Sequence, residues 1–284
     1  MIKAIALPLA LIFIMFGMGM TLKPTDFKRV LQKPLATFIG LINQLVLLPL
    51  VAFALCSFLH LQGEIAVGLI LIASCPGGAT SNMISHLCKG DTALSVSLTA
   101  ISSLVTTLTI PLYLGLAIHH YLDASTSITL PFLSTVLKLM IVSVLPIIAG
   151  MIMHAKCPQK SRSFEKPVNI FSLLFLILIV IIAILQEEAL LAQFKIAGPA
   201  ALSLNVITML MGFGLAALVG LGRRQRITLS IESGIQNGTL ALAIALEMLK
   251  DPLIAMPAVA YSLLMFATGG IMIVVFGRHG HKRA

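Results

Sequence analysis

The sequence is poor in charged residues. Only 10% of its 284 residues are Asp, Glu, Lys or Arg, whereas 58% are hydrophobic, and none is Trp. The mean hydropathy is +1.06, and no long polar stretch separates the apolar runs. A water-soluble domain of this length needs far more polar surface than this composition provides. We therefore expect a membrane protein that forms a single domain over residues 1–284, with no separate soluble domain.

Cysteine is also scarce, and its spacing indicates no site. The four cysteines are Cys56, Cys75, Cys88 and Cys157. No two of them have the spacing of a zinc site or of a disulfide framework. His279 and His281 could bind a metal, but they belong to a short basic tail that is more simply explained as solvated. We expect neither a bound cofactor nor any catalytic residue.

Apolar runs of about 20 residues, the length that crosses the hydrocarbon core of a bilayer, recur along the chain. Nine transmembrane helices are predicted, at residues 3–22, 35–59, 65–88, 92–118, 129–153, 168–185, 196–221, 227–249 and 253–277. The first run lacks the small-residue cleavage site of a signal peptide and is followed by basic residues, so it is expected to be retained.

The basic residues predict the orientation of these helices. Fifteen of the 19 fall in alternate connecting segments: Lys23, Lys28, Arg29, Lys33, Lys89, Lys156, Lys160, Arg162, Lys166, Arg223, Arg224, Arg226, Arg278, Lys282 and Arg283. Cytoplasmic loops are enriched in Lys and Arg, so we expect a multi-pass membrane protein with its N-terminus outside and its C-terminus in the cytoplasm. Because five separate segments share these residues, the net charge of +9 does not indicate nucleic-acid binding.

Two of the predicted helices are interrupted. The third contains Pro76, Gly77 and Gly78, and the eighth contains SGIQNG at residues 233–238, which includes Gly234 and Gly238. Non-helical backbone is tolerated within a membrane only where protein or a water-filled cavity satisfies its polar groups. Interruptions at corresponding places in two halves of a chain indicate the binding site of a transporter.

The two interruptions also suggest an internal repeat. Helices one to four and six to nine form repeats of opposite orientation, with the fifth helix as a connector, and the broken helix is third in each. Two unrelated kinks are the alternative, since Pro and Gly are common in membrane helices. The polar residues that cluster at both breaks favour the repeat.

The polar residues at the breaks offer mainly oxygen atoms. They are Thr80, Ser81, Asn82, Glu232, Ser233, Gln236 and Asn237, with Gln44, Ser95 and Thr99 on neighbouring helices. Oxygen ligands suit a hard cation. An ionised Glu232 within the membrane needs a counter-charge, and because no Lys or Arg lies within one turn, a bound monovalent cation would supply it. Singly, Ser95 or Thr99 could equally bond its own helix.

Each break leaves a half-helix whose N-terminus carries the positive end of a helix dipole. The half-helices that begin near Ala79 and Gly238 are expected to meet near the membrane midplane and to offer N–H groups to an anion. Gly78 is expected to lie where the first break approaches the second, so that a larger side chain there would disturb the crossing.

Three segments together resemble the bile acid:sodium symporter family. They are FGMGMTLKPTDF (16–27), EIAVGLILIASCPGGATSNMISHL (64–87) and ESGIQNGTLALA (232–243), and the similarity runs over essentially the whole chain. The resemblance implies an all-α membrane fold in which two broken helices cross in a core domain packed on a panel domain. It also implies two sodium ions, bound behind the crossing, as coupling ions.

The resemblance further implies ligands for each site. The first sodium site would use Ser81, Asn82, Ser95, Thr99 and Glu232. The second would use Gln44, Glu232 and Gln236, with the main-chain oxygens of Ser233 and Ile235. The substrate would lie near Ala79, Thr80 and Asn237. Some relatives have Thr-Ala where this sequence has Ala79-Thr80, and this difference leaves the identity of the substrate open.

The expected function is sodium-coupled import of an organic anion by alternating access. Bile-acid-like molecules and small carboxylates such as pantoate or ketopantoate fit the resemblance, and no obligate protein partner is evident. A sodium/proton antiporter that uses Glu232 is the main alternative, but such proteins commonly have an Asp at the crossing, and no predicted helix contains one. An enzyme is not expected, because Ser81 and His86 have no orienting acid nearby in the sequence.

Overall fold

The structure, a computed structural model, is described for residues 2–27, 33–122, 131–161, 163–164, 167–168, 170–171, 174–175, 177–178 and 190–277. Five helices in this part of the chain are long and apolar enough to cross a membrane: Pro34–Phe58, Thr92–Tyr121, Phe132–Lys156, Gln193–Leu218 and Pro252–Gly277. The protein is therefore an all-α, multi-pass membrane protein over the described residues. Most of the helix predicted at residues 168–185 lies outside them.

The helices follow the predicted apolar runs. In chain order they are α1 (Ile2–Thr21), α2 (Pro34–Phe58), α3 (Gly63–Ser74), α4 (Ala79–Leu87), α5 (Thr92–Tyr121), α6 (Phe132–Lys156), α7 (Leu190–Leu218), α8 (Arg223–Gly234), α9 (Gly238–Ala243, continued by Ile244–Leu249 as a π-helix) and α10 (Pro252–Gly277). The third predicted run comprises α3 and α4, and the eighth comprises α8 and α9. The largest difference is at α7, which begins at residue 190 rather than 196.

The broken helices occupy the centre of the molecule. Every residue of α3 from Ile65 to Ser74 is buried, as is every residue of α8 from Ile227 to Gly234. The surrounding helices instead expose large apolar side chains. On α5, for example, every fourth residue from Leu104 to Leu116 is an exposed leucine. Apolar side chains on the outside of a membrane protein contact lipid, so the polar breaks lie far from the hydrocarbon.

A π-helical segment lies in the middle of α2. The segment spans Asn43–Leu47 and is followed by Pro49, which has no N–H to donate to the carbonyl four residues before it. That carbonyl, of Leu45, accepts a hydrogen bond of 2.9 Å from the hydroxyl of Tyr113 on α5. A neighbouring helix therefore satisfies the polar group that proline leaves free, as a membrane requires.

Glycines bring α1 and α6 into backbone contact. A Cβ atom on Gly19 would lie 2.1 Å from the carbonyl oxygen of Ile147, and one on Gly150 would lie 2.2 Å from that of Phe16. Any larger residue at either position would force the two helices apart. Small residues commonly permit such close packing between membrane helices.

Segments that were predicted to be cytoplasmic contact one another. The Lys33 ammonium lies 2.6 Å from the Asp91 carboxylate, just before α2 and α5 begin. The N–H of Asp91 donates to the carbonyl of Arg224, and the Arg224 guanidinium donates to the carbonyl of Lys89 over 3.3 Å. The starts of α2, α5 and α8 are therefore joined.

Asp91 is the centre of this junction. Its carboxylate caps α5 by accepting from the N–H of Leu94 over 3.2 Å, in addition to its ion pair with Lys33. Partial burial raises the pKa of Asp91, but the hydrogen bonds from Lys33 and Leu94, with the charges of Lys33 and Arg224, outweigh burial and hold the pKa below its usual value. The ionised form of Asp91 is thus favoured in the folded protein.

Substitution of Asp91 should separate its two roles. Asp91→Asn keeps a good cap but removes the ion pair, whereas Asp91→Ala removes both and should cost about 1 kcal/mol more through the lost cap. Because folding lowers the pKa, the carboxylate stabilises the protein above its unfolded-state pKa, and this stabilisation is lost as the pH falls through the folded-state value. The Tm difference between the native protein and Asp91→Asn, measured in detergent, should shrink on acidification; a constant difference would contradict the assignment.

Candidate cation and substrate site

The two helix breaks lie side by side. Gly77 and Gln236 form an isolated antiparallel β-bridge, and the N–H of Asn237 donates to the carbonyl of Pro76 over 2.9 Å. Each break thus supplies hydrogen-bond partners for backbone groups that the other leaves outside a helix. Such pairing allows non-helical backbone to lie inside a membrane protein.

The two helices end for different local reasons. Before Pro76 the helical conformation is disfavoured, and Cys75 is accordingly extended, with φ −73° and ψ 153°. No proline follows α8, yet the chain leaves the helix at Ile235, with φ −106° and ψ 96°. There the Gln236 amide nitrogen donates to the carbonyls of Glu232 and Ser233, over 3.1 and 2.9 Å, and so replaces helical N–H groups.

The carboxylate of Glu232 lies in a buried cluster of oxygen atoms. The Ser95 hydroxyl lies 2.5 Å from Glu232 Oε1 and 2.7 Å from Asn82 Oδ1. The Thr99 hydroxyl lies 3.0 Å from Glu232 Oε2 and 3.3 Å from the same Asn82 oxygen. Glu232 is only 2% exposed, and among the described residues it forms no salt bridge.

Hydrogen bonding alone does not satisfy this cluster while Glu232 is ionised. The hydroxyls of Ser95 and Thr99 carry one proton each, but three acceptor oxygens face them, two from Glu232 and one from Asn82. Acceptors therefore outnumber donors around a buried negative charge. A positive ion relieves both problems, because it accepts lone pairs from all of these oxygens and neutralises the carboxylate.

Gly77 lies next to the Glu232 carboxylate. A Cβ atom on Gly77 would lie 2.7 Å from Glu232 Oε2, 3.2 Å from the Ser81 hydroxyl and 3.3 Å from the Gln44 amide nitrogen. Ser81 itself donates to the carbonyl of Gly78 over 2.8 Å. The first break thus brings Ser81 to the edge of the Glu232 cluster, where Gln44 of α2 also lies.

A second group of unsatisfied polar atoms lies near Gln44. Both amide atoms of Gln44 and the amide oxygen of Gln236 are buried and have no hydrogen-bond partner. Asn43 lies beside Gln44 in the π-helical segment of α2, and it donates to the hydroxyl of Ser233. Sequence reasoning missed Asn43, although its pairing with Gln44 within an apolar run was a visible signal.

The three predicted substrate residues lie at the starts of the second half-helices. Ala79 and Thr80 are partly exposed in the first turn of α4, and Asn237 precedes α9. The Asn237 amide oxygen accepts from the Thr239 hydroxyl and the Leu240 N–H, over 2.8 and 3.1 Å. Its oxygen therefore caps α9, and its NH₂ group is the part suited to bind a ligand.

Gly78 lies beside Asn237 of the second break, as expected, but a small side chain there would meet no close contact. A Cβ atom on Gly78 would have its nearest neighbours at 3.9 Å, which is ordinary contact. The close approach belongs to Gly77 instead, because its Cβ position faces the Glu232 carboxylate. Which of two adjacent glycines faces inward depends on the backbone direction at the break, and the sequence does not specify that direction.

Paired breaks in apolar helices, beside a buried acidic site lined by oxygen atoms, define an ion-coupled membrane transporter. Comparison with known proteins identifies the family. Residues 8–194 match the Sodium Bile acid symporter family. The chain belongs to this family, whose members are sodium-coupled transporters and not enzymes.

Individual relatives agree with this assignment over most of the chain. The uncharacterized sodium-dependent transporter YocS of Bacillus subtilis (strain 168) is 35% identical over 95% of this chain and 82% of its own length. The probable sodium/metabolite cotransporter BASS2, chloroplastic, of rice (Oryza sativa subsp. japonica) is 31% identical over 94% of this chain and 62% of its own length. The mouse (Mus musculus) ileal sodium/bile acid cotransporter is 29% identical over 86% of this chain and 69% of its own length.

Alanine should impair transport at Gly77 but not at the adjacent Gly78. In Gly77→Ala the new Cβ must displace the Glu232 carboxylate from Ser95 and Thr99, so sodium-dependent uptake should fall by about tenfold or more, the factor that 1.4 kcal/mol represents. The Gly78→Ala variant is the matched control and should transport normally. Uptake into proteoliposomes under a sodium gradient measures both. Equal loss in the two variants would refute the geometry around Gly77.

Proposed function

We propose that this protein is a sodium-coupled symporter that imports an organic anion by alternating access, with two sodium ions in each cycle. The observation that carries the proposal is the buried carboxylate of Glu232, which has oxygen neighbours but no basic partner among the described residues. The anion is a bile-acid-like molecule or a small carboxylate such as pantoate or ketopantoate.

The first sodium site is proposed to use Ser81, Asn82, Ser95, Thr99 and Glu232. A hard monovalent cation suits this set, because each residue contributes an oxygen ligand and one carboxylate balances one positive charge. Four of these side chains lie within hydrogen-bonding distance of one another, at 2.5–3.3 Å, which supports a shared site. Ser81 reaches the same carboxylate from the first break.

The second sodium site is proposed to use Gln44, Gln236 and Glu232, with the carbonyls of Ser233 and Ile235. Its support is the buried, unpartnered amide oxygens of Gln44 and Gln236, since a buried polar atom without a partner is costly. The Ser233 carbonyl accepts from Gln236, but a carbonyl oxygen has a second lone pair for an ion.

The substrate is proposed to bind near Ala79, Thr80 and Asn237. No side chain caps the start of α4, and of its first three N–H groups only that of Ser81 has a carbonyl partner, at Gly78. Those of Ala79 and Thr80 can therefore bind a negative ligand. The NH₂ group of Asn237 is likewise a donor, because the amide oxygen is already used in capping. Donors without acceptors favour an anion.

The proposed membrane arrangement has nine helices in two inverted repeats, an outside N-terminus and a cytoplasmic C-terminus in a bacterial inner membrane. Contacts between segments of the same predicted side support it, as at Lys33, Asp91 and Arg224. His154 and Ser161 add a fourth such segment by binding the carbonyl at Met20, near the end of α1. The broken helices belong to the proposed core domain, and α1 and α6 belong to the panel domain.

Replacement of Glu232 tests the proposed function directly. Glu232→Gln keeps the size of the side chain but removes its charge, so sodium-driven uptake should fall to background while the protein still folds and inserts. Glu64→Gln is the matched control, because it makes the same change in the first turn of α3, away from both proposed sites. Uptake by Glu232→Gln at the native rate, with unchanged sodium dependence, would refute the proposal. Proton release coupled to sodium uptake would instead favour an antiporter.

Charge balance predicts the electrical behaviour of the cycle. Two sodium ions bring two positive charges and Glu232 supplies one negative charge, so a monoanionic substrate brings the sum at the site to zero. Uncompensated charge at this depth costs several kcal/mol or more, so the neutral combination is favoured. Each cycle should then carry one net positive charge inward and accelerate when the inside is negative.

Recordings on solid-supported membranes, made with a panel of organic anions and with sodium or potassium, measure this current. A carboxylate or sulfonate should give a sodium-dependent positive current. Sodium-dependent transport of a cation, with none of any anion, would contradict the charge assignment.

A further inference from the structure

The end of α8 carries carbonyl groups that no helical N–H can satisfy. The helix stops at Gly234 and the chain then becomes extended, so the last carbonyls need other partners. The Gln236 side chain satisfies those of Glu232 and Ser233. The carbonyl of Gly234 is left to be satisfied by other helices.

Two buried side chains bind the Gly234 carbonyl. The amide nitrogen of Asn205, on α7, donates to it over 2.6 Å, and the hydroxyl of Tyr261, on α10, donates to it over 3.0 Å. Both residues are fully buried. The carbonyl is therefore held from two different helices that flank the break.

The same peptide unit is also held at its other end. The N–H of Ile235 donates to the carbonyl of Ile231 over 2.8 Å, as the last helical hydrogen bond of α8. Three hydrogen bonds thus fix the plane of the peptide that joins Gly234 to Ile235. Without the two side-chain bonds, a glycine at this position could rotate through a wide range of backbone conformations.

Glycine is required at position 234 for this contact. A Cβ atom there would lie 2.1 Å from Met209 Cγ and 3.4 Å from the Asn205 amide nitrogen. The side of α7 that carries Asn205 and Met209 is thus packed against the glycine. This close approach allows the short Asn205 side chain to reach the carbonyl.

We propose that Asn205 and Tyr261 are positioning residues for the second sodium site. They fix the peptide between Ser233 and Ile235, the two residues whose carbonyls are proposed as ligands, and so hold both carbonyls where the ion needs them. From the opposite helix, α2, Asn43 binds the Ser233 hydroxyl beside Gln44. This inference rests on the proposed function and adds the residues that preorganise one of its sites.

A purely structural role makes a different prediction. If the two bonds only stabilised the fold, their loss would lower Tm and the maximal rate without changing sodium affinity. If they position the site, their loss raises the sodium concentration for half-saturation while saturating sodium restores the rate. Sodium affinity, measured on equal amounts of folded protein, therefore distinguishes the two roles.

The test uses Tyr261→Phe, Asn205→Leu and the double variant, with Tyr121→Phe as a matched control. Tyr121 stacks on Phe53 at the end of α5, and the control removes the same single oxygen. Sodium binding to the full chain in detergent is measured by titration calorimetry. Uptake of an organic anion such as pantoate is measured at several sodium concentrations. Each single variant should raise the half-saturating sodium concentration roughly 2- to 10-fold, the effect of one hydrogen bond.

The double variant should lose more than the product of the single effects, because each single variant leaves one donor on the same oxygen. Unchanged sodium affinity in Tyr261→Phe, which removes one atom and preserves packing, overturns the inference even if the double variant does not fold. Glu232→Gln in the same titration distinguishes a failure of this inference from a failure of the proposed function. If it abolishes binding while the Tyr261 and Asn205 variants bind normally, the proposed function stands and the inference falls. If the native protein binds no sodium, both fall.

Discussion

The need to satisfy backbone polar groups away from water governs the centre of this protein. A continuous helix meets that need by itself, but α3 and α8 both stop within the buried core. They meet the need jointly, through the bridge between Gly77 and Gln236 and the bond from Asn237 to Pro76. Each break therefore depends on the other, and neither would be tolerated alone at this depth.

The pairing of the breaks determines where polar side chains can lie. Glu232, two residues before the end of α8, and Asn82, on α4, both accept hydrogen bonds from Ser95 and Thr99 on α5. The acidic residue and the neutral oxygens thus come from opposite halves of the chain. A cation bound among them would link the two halves, and its loss would leave a carboxylate and an amide oxygen competing for too few protons.

The helices, and many of the polar residues that cluster around Glu232, could be predicted from the sequence. Apolar runs predict the helix bounds because length and hydropathy are local properties, and Pro76 with its glycines predicts a break for the same reason. Asn205 and Tyr261 could not be predicted, because each is a single polar residue in an apolar run that acts on a distant backbone carbonyl. The same holds for Tyr113, which compensates for a proline on another helix.

Under the proposed function, coupling between sodium and substrate follows from the shared crossing. In that scheme sodium would bind the oxygens of Glu232, Gln44 and Gln236, and the anion would bind N–H groups at the start of α4 and the amide of Asn237. Both ligands stabilise the same paired breaks and have opposite charges, so each favours the binding of the other. Linkage requires the effect to be equal in both directions. On the same proposal, the peptide held after Gly234 strengthens this coupling. A displacement of backbone at the sodium site moves the anion site if the crossing is rigid, whereas flexible backbone would not pass that displacement on.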